Sequence, residues 1–208
     1  MIDLDSYLLF LGAVLLICVV PGADMVYIVT NAVSQGVRAG LLASVGMSVG
    51  MLVHTTAVVL GLATLVSSSP IAYDVLRYAG AVYLGYLGVR TLIDSWRAGG
   101  TQLTTGERLP LSTVFQRAII TNVLNPKIVV FYLAFLPQFV RPEQGNSTMQ
   151  LLVLGVTFVI MGLLVDSVVA LASGRVGDWL RKDDRTEKWL NRLAGVVFLG
   201  LAAKVAID

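Results

Sequence analysis

The sequence predicts an all-α fold: a polytopic membrane helix bundle of six transmembrane helices arranged as two inverted three-helix repeats. Three observations carry this prediction. Of 208 residues, 56% are hydrophobic and 13% are charged, against roughly 25% charged in soluble domains. A soluble chain of this length has no core large enough for that much apolar surface. The apolar residues fall into six runs near the roughly 20 residues that one bilayer span requires. Two polar motifs, Pro21-Gly22-Ala23-Asp24 and Asn125-Pro126-Lys127, interrupt the first and fourth runs at related places.

The spans are expected at about 5–30, 39–66, 71–93, 114–139, 148–172 and 192–207. The apolar run 7–20 holds 14 residues, too few to cross a bilayer. It must continue through Pro21 and Asp24 to Thr30, which puts the proline and the aspartate inside the membrane. The start, Met-Ile-Asp-Leu-Asp, is acidic and no Lys or Arg precedes Arg38, unlike the positive start of a signal peptide. The second span follows the polar segment 31–38 and carries Gly46, Gly50 and His54 on one helix face. Ser67-Ser68-Ser69-Pro70 is a turn before the third. The polar segment 97–110 separates two approximate repeats, 1–96 and 110–208, within a single transmembrane domain spanning 1–208. The fifth span follows the polar segment 141–147 and carries Gly155, Gly162 and Asp166 on one face. The charged segment 175–188 precedes the sixth.

Three spans per repeat is an odd number, so the two repeats insert with opposite orientation. Arg38, then Arg90, Arg97, Arg108 and Arg117, then Arg175, Arg181, Lys182, Arg185, Lys188 and Arg192 fall on one side. Only Arg77, Arg141 and Lys204 fall on the other. The basic side is expected to be cytosolic, which leaves both termini outside the cytosol. Trp96, Trp179 and Trp189 lie on the cytosolic side, as an interfacial belt requires.

Ionisable groups at membrane depth cost about 2.5–3.5 kcal/mol on insertion scales and mark functional sites. The candidates for substrate binding or ion coupling are Asp24, Lys127, Asp166, Asn125 and His54, with Pro21, Gly22 and Pro126 as the helix-breaking residues. Broken helices at matching places in two halves point to a transporter site. Each residue also has a plainer role. Asp24 either caps the helix that resumes after Gly22 or handles a ligand. Lys127 and Asp166 either neutralise buried charge or take part in transport, and His54 is either a packing residue or a proton carrier. Asn122, Tyr27, Tyr132 and Gln138 are further candidates for the lining. Straight-helix spacing from the cytosolic ends spreads Asp24, Asp166, Lys127 and His54 along a path at depths of roughly 9, 13, 15 and 24 Å. The glycine stripes serve packing inside the chain or homo-oligomerisation.

The same residues exclude several classes. One histidine and one cysteine, Cys18, do not make a usual metal site, and neither a Walker loop nor a dinucleotide fingerprint is present. No cofactor, no metal and no nucleic-acid partner is expected, and the chain reads as a non-enzyme. The residues before the two aspartates, Gly22-Ala23 and Leu164-Val165, lack the Gly-x-Gly-Asp pattern of intramembrane aspartyl proteases. A non-transporting assembly or lipid-handling protein stays open as an alternative.

With these motifs in view, the chain resembles the LysE/RhtB family of amino-acid exporters. Pro21-Gly22-Ala23-Asp24 with NAVSQGVRAGLLASVGMSVGMLVHTTAVVLGLATLV after it resembles the family's most recognisable block, and NPKIVVFYLAFLPQF the second. The LVH triplet is closer to the homoserine/threonine branch. The likeness covers nearly the whole length. It implies a multi-pass secondary transporter of the bacterial inner membrane that exports amino acids or close derivatives, with protons and the lipid bilayer as its other partners.

Overall fold

The computed structural model describes residues 2–68 and 108–173 continuously, and scattered helical positions within 71–96 and 175–203. All regular structure among the described residues is helical. Helix α1 (Leu4–Val19) starts at Asp3, whose carboxylate accepts a hydrogen bond from the Ser6 amide at 2.8 Å. That bond holds the Asp3 carboxyl below the usual carboxylate range. Pro21 cannot continue the α1 hydrogen-bond ladder, and α2 (Ala23–Gln35) starts afresh after Gly22. The chain turns at Gly36, whose φ of 94° favours glycine, into the long α3 (Val37–Ser68). Helix α4 (Leu111–Val123) stops before Asn125, and α5 (Pro126–Val130) follows it with proline in the first turn.

Beyond α5 the span changes character. A π-helical turn covers Phe131–Phe135, and a 3₁₀ turn covers Leu136–Phe139. Pro137 accounts for this physically. It lacks an N–H and its ring crowds the preceding turn, so the ladder widens ahead of it. Helix α6 (Ser147–Leu171) is capped by Asn146, whose side chain accepts from the Met149 amide.

Two stretches of 25 residues, Val37–Gly61 and Ser147–Leu171, are long and apolar enough to cross a bilayer. Two bent pairs qualify when each is taken as one broken span. Leu4–Val19 with Ala23–Gln35 bends by 52°, and Leu111–Val123 with Pro126–Phe139 bends by 47°. These match the expected first, second, fourth and fifth spans, broken where the prolines lie. The expected spans 71–93 and 192–207 lie largely outside the described residues, as do Arg77, Trp179 and Lys204. On α6, Leu152, Val156, Ile160, Leu164 and Val168 recur every four residues and are exposed. Such a stripe fits lipid rather than water.

Helices cross antiparallel where α1 meets the span after Asn125, where α3 meets α6, and where the positions around Gly88 meet those around Gly195, whereas α3 and α4 run parallel. Phe10 on α1 stacks on Phe135 and meets Phe139 edge to face, whereas the far end of α1 meets Lys127. On α6, Gly155 lies against Thr55, Gly162 against Met51, and Ala170 against Gly40. The described positions near Gly88 and Gly195 also touch, each glycine closing on the other's backbone oxygen, with Gly85 facing Ala202. Glycine lets backbones approach closely at these crossings. Gly46 and Gly50 lie against Ala118 and Asn122 of α4. The stripes singled out in the sequence are therefore occupied inside one chain, and they no longer argue for a homo-oligomer.

The charges divide between the two ends. The Leu109 amide donates to Gln35 at 3.0 Å, which joins the Arg108 end of α4 to the turn before Arg38. The Ala170–Gly40 contact brings the end of α6 to the same side. At the opposite end lie Asp3, Asp5, Arg141 and Glu143, with Gln150 bonded to the backbone of Arg141.

Candidate functional site at the two helix breaks

A proline in a buried helix frees backbone groups that something must satisfy. Here each break is served by the other. The Lys127 ammonium donates to the carbonyls of Ile17 and Val20, at 3.3 Å each, in the last turn of α1. It also pairs with the Asp24 carboxylate at 3.7 Å. Asp24 stands in the first turn of α2. A cation at a helix C-terminus and an anion at a helix N-terminus both complement the helix dipole. Asn125 joins the two breaks. Its side-chain oxygen accepts from the Lys127 amide at 3.0 Å, capping α5, and its NH₂ donates to Asp24. The Lys127 ammonium would lie 3.0 Å from a Cβ at Gly22, so this position has little room for a side chain.

The Asp24 side chain does not cap its own helix. Gly22 is the N-cap of α2 and no side chain caps it. The Asp24 carboxylate is turned across the bundle to Asn125 and Lys127 instead of back onto its own helix. Asn125 is itself a cap.

The remaining candidates are arranged around α3. Asp166 lies between Gly162, which meets Met51, and Ala170, which meets Gly40. It is thus level with the 44–48 stretch of α3. Asp24 lies two turns before Ala32, which meets Gly40, and so is level with Ser48. Asn122 abuts Gly50. The charged groups therefore gather in one layer, and the path spread through the membrane that helix spacing predicted is corrected. Straight-helix arithmetic fails because both broken spans bend at the charged residues. His54 lies about 9 Å further along α3 than Ser48 at 1.5 Å per residue, with the backbone of Asn122 and Val123 beside its ring. Its ring stacks on Tyr132 with centroids 5.3 Å apart.

Around α3 most polar groups are committed. Ser44 and Ser48 donate to carbonyls one turn back on α3. Tyr27 donates to the Val114 carbonyl at 3.0 Å, and the Tyr132 hydroxyl bonds Thr55 at 2.9 Å. Both tyrosines serve helix packing rather than an open lining. Among the described residues, four buried side-chain atoms have no hydrogen-bond partner: Asp166 Oδ2, Asn122 Oδ1, Asn122 Nδ2 and His54 Nε2. Leaving buried polar atoms unpaired costs about 1–3 kcal/mol each, so these atoms are open to a ligand, a proton or bound water. No group of three metal-ligating side chains occurs among the described residues.

Comparison with known proteins agrees with this architecture. The family model described as LysE type translocator matches residues 15–208. The leucine efflux protein of Salmonella choleraesuis is 30% identical over 201 residues, covering 97% of this chain and 94% of that protein. The leucine efflux protein of Salmonella typhimurium shows the same identity and coverage. The homoserine/homoserine lactone efflux protein of Salmonella typhi is 35% identical over 188 residues, covering 89% and 88%. No solved structure matches the chain. A helical chain with membrane-length apolar spans, two breaks cross-braced by buried charge, and this family match over nearly its whole length belongs to the LysE family of translocators.

Proposed function

We propose that this protein exports amino acids or close derivatives across the bacterial inner membrane, and that proton entry drives the export. It acts as a transporter and not as an enzyme. The observation that carries this reading is the buried Asp24–Asn125–Lys127 cluster at the crossing of two broken spans. Transporters of inverted-repeat design hold their substrates where discontinuous helices meet between the repeats. The antiparallel crossings of α1 with α5, α3 with α6, and Gly88 with Gly195 support repeats of approximately 1–96 and 110–208. The gathering of Arg38, Arg108 and Arg175 at one end supports a cytosolic face there, with both termini on the other side.

A zwitterionic amino acid presents a carboxylate and an ammonium. Lys127 and the uncapped first turn of α2 favour the carboxylate. Asp24 is already engaged by Lys127 and Asn125, whereas Asp166 keeps a free oxygen, which favours Asp166 as the group that receives the ammonium. One carboxylate that takes either an ammonium or a proton, but not both, couples the two movements. Substrate leaves outward on ionised Asp166, and the site returns with a proton in its place. His54 is the second candidate for moving that proton.

The test is counterflow into proteoliposomes loaded with each amino acid in turn. Saturable exchange of at least one amino acid, accelerated by an opposing proton gradient, is expected. Absence of exchange for every amino acid would refute the reading.

A further inference from the structure

We propose that Asn122 works with Asp166 as the subsite that holds the substrate's ammonium group, so that Asn122 is a substrate-selecting residue of the translocator. This rests on the amino-acid export reading. Asn122 is the last-turn residue of α4, fully buried, with both side-chain amide atoms unpaired. Asp166 is more than nine-tenths buried, with Oδ2 unpaired. These two side chains come from different helices and lie within about one helical turn of each other along α3, Asn122 against Gly50 and Asp166 beside the 44–48 stretch.

Gly50 is what admits the amide. A Cβ there would fall 2.7 Å from both Cβ and Oδ1 of Asn122. Any larger residue would push the amide out of the layer. An amide with neither its donor nor its acceptor used is rare in a protein interior, because a buried Asn normally finds partners. Asn122 also lies one turn before Asn125, whose backbone N–H donates to the Asn122 carbonyl at 3.0 Å. The orphan amide therefore belongs to the residue one turn before the Asn125 that holds Asp24.

The chemistry of the orphan atoms selects the ligand. Asn122 Oδ1 and Asp166 Oδ2 are two acceptors. An ammonium offers three donors in a compact group, and one carboxylate supplies the charge to match it. The Asn122 NH₂ remains to donate to the substrate's carboxylate, whose main partner is Lys127. A 2-hydroxy acid, which lacks the ammonium, would leave both acceptors underused. Sites built to hydrogen-bond a group reject analogues without it far more strongly than apolar pockets reject a changed side chain.

The experiment is competition against labelled L-leucine and L-homoserine on the purified full-length protein. The competitors are the unlabelled amino acid, its 2-hydroxy analogue and its methyl ester. In wild type the 2-hydroxy analogue is expected to compete at least about tenfold more weakly than the amino acid. Asn122→Ala should shrink that preference about tenfold, through weaker binding of the amino acid, and change the amino-acid-to-ester ratio much less, because Lys127 is the main partner of the carboxylate. Asn122→Ser, smaller but still polar, is read in the same way if Asn122→Ala does not insert. An unchanged preference for the ammonium overturns the inference. So does an equal loss for all three competitors, the mark of a packing role. Wild-type protein that binds neither labelled amino acid would instead overturn the functional reading on which the inference stands.

Discussion

Replacing Lys127 by methionine separates its structural role from its transport role. The substitution keeps length and apolar bulk and removes the charge. Asp24 is then left buried with only Asn125 beside it, and the Ile17 and Val20 carbonyls lose their donor. At the 3.7 Å separation of the pair, Coulomb's law with an effective dielectric near 20 gives about 4.5 kcal/mol. Breaking a buried pair by removing one partner costs about 3–5 kcal/mol. The two figures agree. For a chain of this size they correspond to a fall in melting temperature of roughly 10 °C. The assay is thermal unfolding of the detergent-solubilised protein, paired with counterflow in proteoliposomes.

The double variant Asp24→Asn with Lys127→Met is the decisive arm. It leaves no unpaired charge, so most of the lost stability should return as a coupling energy of about 2 kcal/mol or more. Exchange should not return, because the cation for the substrate carboxylate is still missing. A melting temperature within about 2 °C of wild type in Lys127→Met alone would refute the pairing argument. Restored exchange in the double variant would reduce Lys127 to a counter-ion for Asp24.

Asp166→Asn should abolish gradient-driven accumulation while substrate–substrate exchange survives, because an amide oxygen still accepts from an ammonium but the group no longer takes up and releases a proton; unchanged gradient-driven transport removes Asp166 from the coupling step. A reporter active only in the cytosol should work when fused within 97–110 or 181–188 and fail at Asp208, and cytosolic activity at Asp208 would sink the six-span topology. Gly155→Ala places a Cβ 2.4 Å from the Thr55 methyl, so Thr55 must rotate and lose its bond to Tyr132; the expected loss is about 1–3 kcal/mol, read as a lower melting temperature. Gly61→Ala meets nothing within 4 Å and should be neutral or stabilising, and equal losses at the two positions would contradict the crossing geometry.

How much of this was legible beforehand depends on the range of the physics involved. Pro21 and Pro126 act on the backbone beside them, so both breaks could be read from local sequence, and the bends of 52° and 47° fall there. The first, second, fourth and fifth spans were legible for the same reason, since hydropathy sums over neighbours. The widened turn at Phe131–Phe135 was less visible, although Pro137 is a local signal for it. The site is a different matter. That Asp24 and Lys127 carry charge is a property of the residues, but their pairing across 103 positions is a property of the crossing. Depth counted along straight helices misplaced them because the bends fold the charged layer together. Asn122 could be named among the candidates for the lining but not singled out from them. In sequence it is one polar residue near a helix end, with nothing to set it apart from Asn125. What distinguishes them is that Asn125 spends its amide on Asp24 and on the α5 cap, whereas Asn122 lies unpaired against Gly50. An unpaired atom is defined only by everything packed around it, and here those neighbours arrive on separate helices. Committed polar residues and unpaired ones therefore look alike until the helices are assembled, and the unsatisfied valence then tells them apart.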